Sequence, residues 1–105
     1  MTTVTLHITG IQNRTEAVRS KLAFSAIKNG EVLIRSALDE SQEINEHLVW
    51  LWGTLKHERR YLKSLQEEGA KLLCVAKVPK GKVKIHPDGA EFLHLLGSEL
   101  VIDAK

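Results

Sequence analysis

The chain has 105 residues, a hydrophobic fraction of 43%, a charged fraction of 27% and a formal net charge of +2. That length has room for one domain, residues 1–105, built on one core, and the balance of apolar and charged residues excludes an intrinsically disordered chain. The small net charge gives no reason to expect a polyanion partner, no apolar run reaches the roughly 18 residues of a membrane span, and the single Cys74 excludes an internal disulfide and a multi-cysteine metal site.

Met1-Thr2-Thr3-Val4-Thr5 has neither the basic nor the apolar part of a secretory signal, so a cytoplasmic location is expected. Val4, Leu6 and Ile8 then alternate with Thr3, Thr5, His7 and Thr9, the pattern of a half-buried strand that Gly10 ends. Asn13 and Thr15 are good N-cap types, and Val18 and Leu22 lie one helical turn apart, which predicts a short helix over 14–22. Residues 23–28 are ambiguous alone. Asn29-Gly30 tolerates positive φ at both positions, however, and predicts a hairpin between Phe24, Ala26 and Lys28 on one side and Val32 and Ile34 on the other.

Asp39, Glu40, Ser41 and Gln42 mark the start of the next helix. Asp39 or Ser41 can accept from free backbone N–H groups, and the acidic residues complement the positive end of the macrodipole. Ile44, Leu48, Leu51, Trp52, Leu55, Leu62 and Leu65 fall on one helical stripe. It lapses over Lys56-His57-Glu58-Arg59-Arg60, so residues 43–68 are either one helix with a solvated middle turn or two helices meeting at a kink, closed by Gly69.

Leu72, Cys74, Ala76 and Val78 alternate with Lys71, Leu73, Val75 and Lys77, and Pro79-Lys80-Gly81 reads as a turn. Lys82 and Lys84 then alternate with Val83 and Ile85, so residues 72–78 and 82–86 are predicted to form a hairpin. Pro87 restricts His86 to an extended conformation and suits the first turn of a helix whose apolar face is Phe92, Leu93, Leu95 and Leu96 and whose C′ residue is Gly97. A last strand sets Leu100 and Ile102 opposite Val101 and Asp103. This order predicts an α+β fold, an antiparallel sheet of about four to five strands with helices mainly on one face.

Glu46-His47-Leu48, Leu51, Leu55, Leu62, Leu65 and Gly69, followed by paired strands and then Pro87-Asp88, Phe92-Leu93, Leu96-Gly97, Leu100 and Ile102-Asp103, carry a resemblance. Over residues 41–104 the chain resembles the bacterial domain-of-unknown-function family catalogued as four-two-seven-nine. Residues 1–40 depart from that pattern: the proline usual after the first helix is absent, and Trp50 and Trp52 lie inside the long helix where the family has a tryptophan before it. The resemblance implies an α+β domain with an antiparallel sheet. It implies no activity and no site residues.

The chemistry-bearing residues form no catalytic set. His7, His47, His57, His86 and His94 never stand at the i, i+4 spacing of a helical metal pair, and Glu67-Glu68 and Asp39-Glu40 give no reason for a desolvated carboxylate. Cys74 reads as a buried structural cysteine. Lys77, Lys80, Lys82 and Lys84 crowd the 77–84 hairpin, where lysines can track a phosphate backbone or guard an edge strand against aggregation. Arg59, Arg60 and Lys63 form a second basic cluster, read either as a solvated helix face or as a surface that orients a charged partner. Trp50 points away from Trp52, which shares the side of Leu48 and Leu55, and an exposed Trp is a favoured interface anchor.

The leading expectation is therefore a non-catalytic protein-interaction or accessory module, self-associating or immunity-like, acting through Trp50, Arg59, Arg60 and Lys63 on a protein partner or a second copy of itself. No cofactor, metal, catalytic residue or membrane is expected. A second reading is nucleic-acid binding through Lys77, Lys80, Lys82 and Lys84. A third is a small-ligand binder or enzyme with a pocket near His86 and His94.

Overall fold

The computed structural model describes residues 1–11 and 13–104. In chain order they form β1 (Thr3–Thr9), α1 (Thr15–Lys21), β2 (Ser25–Lys28), β3 (Glu31–Arg35), α2 (Ile44–Leu55), a 3-10 turn (Lys56–Glu58), α3 (Arg59–Glu67), β4 (Lys71–Val78), α4 (Pro87–Leu96) and β5 (Glu99–Ala104). The strands make one five-stranded sheet in the order β2-β3-β1-β4-β5, an α+β architecture.

Alternation along the strands places the core. Val4, Leu6 and Ile8 of β1, Val32 and Ile34 of β3, and Leu72, Cys74, Ala76 and Val78 of β4 are buried on one face. Val18 of α1, Leu48, Leu51 and Leu55 of α2, Leu62 and Leu65 of α3, and Phe92 and Leu96 of α4 join them in a single apolar cluster. Each such fully buried aliphatic side chain contributes about 1.5–3 kcal/mol. Thr3, Thr5, His7, Thr9, Leu33, Leu73 and Val75, on the other face, are only half-buried.

The turn at Asn29-Gly30 forms as its residue types require. Asn29 has φ 53° and Gly30 φ 76°, and Lys28 pairs with Glu31 across it. Gly97 ends α4 at φ 65°, where the Ser98 N–H reaches the Leu93 carbonyl at 2.9 Å, a Schellman closure.

The sheet is mixed, not antiparallel throughout. β5 runs parallel to β4, with Cys74 opposite Leu100 and Ala76 opposite Ile102. The expected hairpin of residues 77–84 does not form, because β4 already has β1 on one side and β5 on the other. No free edge is left beside it for residues 82–86, and they run instead as a loop leading into α4.

The long stripe resolves as two α-helices joined without a break through the 3-10 turn, at the place where apolar residues lapse. Neither of the expected caps is used at α1 or α2: the N-cap positions are Arg14 and Glu43, without side-chain hydrogen bonds. The Asp39 carboxylate instead accepts from the Ser41 N–H at 2.8 Å, a local Asx turn ahead of α2. Among the described residues no helix is long and apolar enough to cross a membrane.

Candidate functional site

The corner between α1 and β2 is where the chain departs most from low-energy geometry. The Ser25 hydroxyl lies 2.6 Å from the Leu22 carbonyl and 2.9 Å from that of Arg19, closing the last turn of α1 while already starting β2. The reversal between them falls on Phe24, which adopts φ 62°. A bulky residue in the left-handed region costs about 1–3 kcal/mol. The residue is 68% exposed, and its ring meets Trp50 of α2 edge-on, centroids 5.2 Å apart at 65°. Trp50 is half-buried under this contact and packs on the core. Trp52, on another side of α2, is half-buried edge-on against Phe92 at 5.9 Å.

Arg59, Arg60 and Lys63 lie on α3 and, with Lys56 and His57 of the 3-10 turn, line an open groove of about 460 Å³. No carboxylate lines it, and among the described residues Lys56, Arg59, Arg60 and Lys63 make no ion pair. Trp50 does not reach this groove, so the residues grouped by sequence divide into an aromatic corner and a basic groove. The acidic Glu58 turns elsewhere, 3.8 Å from Lys21 of α1.

The lysines of the expected hairpin separate as well. Lys77 stays in β4, opposite Thr3 of β1 and Asp103 of β5. Lys80, Lys82 and Lys84 follow the loop, which walls a cavity of about 320 Å³ together with Thr2, Glu43 and Asn45. The loop is tied down by Asn45, whose side-chain amide donates to the Lys84 carbonyl and accepts from the His86 N–H, both at 2.7 Å.

His86 and His94 do not converge. One precedes α4 and the other sits in its last turn, eight positions on and so about 12 Å along the axis. His86 instead borders a 260 Å³ cleft between α2 and α4 with Glu46, Val49 and Asp88. Cys74 is fully buried, and burial pushes its thiol up to about 11, so it carries no thiolate at neutral pH. Among the described residues no group of three or more His, Cys, Asp or Glu is placed to hold a metal ion.

Sequence reasoning passed over one titratable group. His47 of α2 is 1% exposed; its Nδ1 lies 2.7 Å from the Ser36 hydroxyl, and its Nε2 has no partner among the described residues. It stands beside core Leu48 on a helix face that reads as apolar, so only its residue type could have marked it. Phe24 was hidden for a different reason: it lies in the stretch where neither period prevails.

Compared with family models, with curated proteins and with solved structures, the chain matches none.

Proposed function

We propose that the protein is a small, cytoplasmic, non-catalytic interaction module and that the Phe24–Trp50 corner seats a protein partner. The observation that carries this reading is Phe24, an aromatic ring held out in solvent by a backbone conformation that costs stability. Backbone strain kept at an exposed side chain is a mark of binding sites, and aromatic rings are the favoured anchors of protein interfaces.

The test is a pair of measurements on Phe24→Asn. Asn accepts the left-handed region, so relief of strain offsets the lost edge contact with Trp50, worth about 0.5–1.5 kcal/mol. Stability is expected to change by less than about 1 kcal/mol, against about 3–5 kcal/mol for removing a core aromatic. A photo-reactive group placed at residue 24 in cells should cross-link a discrete protein in the otherwise wild-type chain, and Phe24→Asn should lose that protein from co-purification. A large loss of stability, or unchanged co-purification, overturns the reading.

The basic groove favours a second reading, binding of a nucleic-acid phosphate backbone. It is lined by Lys56, His57, Arg59, Arg60 and Lys63 and, among the described residues, by no apolar residue, which suits phosphates better than the core of a protein interface. Binding of a random DNA or RNA duplex that weakens steeply with salt, and disappears in Arg59→Glu/Arg60→Glu, supports it. No binding at low ionic strength removes it.

A further inference from the structure

From the sheet's last strand we infer that the protein pairs with a second copy of itself edge to edge, β5 against β5, giving one continuous sheet across a two-fold axis. β5 is hydrogen-bonded to β4 on one side only, and its outer side presents unpaired backbone groups among the described residues. The opposite edge, β2, is short and carries Lys28. β5 is longer and spans Glu99–Ala104; it holds no lysine, proline or glycine, and its charged residues, Glu99 and Asp103, stand toward its two ends and leave Leu100, Val101 and Ile102 between them. Val101 and Ile102, 46% and 40% exposed, sit at its middle on opposite faces.

The occupant follows from the register. A two-fold axis normal to the sheet sets β5 antiparallel to its copy, and residues facing the core side stay opposite residues facing the core side. With the axis at Val101, Glu99 would face Asp103 of the second copy, two carboxylates directly opposed. With the axis at Ile102, Ile102 meets Ile102 of the second copy, Leu100 meets Ala104 and Val101 meets Asp103. In that register no two carboxylates are opposed among the described residues, and Lys77 beside Asp103 in the same chain offsets its charge. The strand is therefore complementary to itself, and the seam gains an apolar contact on the core side. The pairing is independent of the aromatic corner, because Phe24 flanks β2 at the other end of the sheet.

Light scattering across a concentration series should give twice the chain mass at the upper end and a monomer throughout for Ile102→Lys. Because a lysine there could disturb β5 itself, a second variant reads the register directly. Ile102→Cys, oxidised in air with copper, should form a covalent dimer on a non-reducing gel, whereas Val101→Cys, which faces Asp103, should not; buried Cys74 stays out of the reaction. A wild-type chain that is monomeric at every concentration overturns the inference. So does a dimer that Ile102→Lys leaves intact, or cross-linking by Val101→Cys in place of Ile102→Cys.

Discussion

Asn45 holds the residue before α4: its side-chain oxygen accepts from the His86 N–H while its nitrogen donates to the Lys84 carbonyl. One buried amide on α2 thus gives an irregular loop the paired hydrogen bonds that a neighbouring strand would have supplied. Asn45→Ala leaves that donor and acceptor without protein partners and is expected to cost about 1–3 kcal/mol. The local effect is sharper. Trypsin should cut after Lys80, Lys82 and Lys84 much faster in the variant, at a time when tryptophan fluorescence is still native.

Two glycines respond in opposite ways to alanine. A Cβ on Gly89, in the first turn of α4, would lie 2.9 Å from Leu48 Cδ1 and 3.4 Å from Asn45 Oδ1, and Leu48 is fully buried. Gly89→Ala should lower Tm, overpacking of about 1–3 kcal/mol outweighing a helix-propensity gain of about 1 kcal/mol. Gly53, exposed in α2, has nothing within 4 Å of the added methyl. Gly53→Ala should raise stability by about 0.4–1 kcal/mol. Thermal melts of the two variants decide both signs.

Stability should depend on pH through His47. Burial holds its imidazole below the usual 6.5, against the Gln42 backbone and the Glu46 and Asp39 carboxylates, which favour the charged ring, and with Arg35, which does not. The unfolded chain therefore takes up a proton near pH 6.5 that the folded one refuses until lower pH. Stability is complete above that window and lost as pH falls through it. Denaturant midpoints between pH 8 and pH 5, on the order of the usual His range, should fall in the wild type and lie flatter in His47→Leu. Asp39 acts in a separate window: the Ser41 N–H and hydroxyl hold its carboxyl below 3.8, so its contribution is lost only as pH falls below that value.

Cys74 should behave as a reporter of unfolding. With its thiol raised to about 11 inside the sheet, the native protein should not react with maleimide at neutral pH, and labelling should rise in step with denaturant unfolding. Labelling at native conditions at the rate of a free thiol would contradict the burial.

Where local pattern and final environment agree, the structure is legible in the residues themselves. Val4, Leu6 and Ile8 alternate because β1 has one face in the core, and Asn29-Gly30 turns because both residues enter positive φ. Residues 82–86 alternate too, yet Val83 and Ile85 are half-buried against the core from a loop, fixed by Asn45 far back in the chain. Nothing local distinguishes that from a strand. The direction of β5 likewise follows from α4, which carries the chain back to the end where β4 begins, so that the two strands run parallel. Of the site, Trp50 was visible as a surface candidate, but Phe24 was not, since its exposure arises from the tie between Ser25 and the end of α1.

The central position of β1 has a consequence for how the chain reaches this state. β1 comes first among the strands, but its neighbours are β3 and β4, and Leu6 pairs with both Ile34 and Cys74. The β2–β3 hairpin can close early through its tight turn, whereas the β1–β4 ladder must await residues synthesised much later and bear the entropy of closing a long loop. Until then β1 has one bare side. Folding should be limited by the docking of β4, so that Ala76→Gly slows refolding, as does Ile27→Ala in the hairpin already closed at that step, while Leu100→Ala in β5, which pairs only with β4, chiefly speeds unfolding.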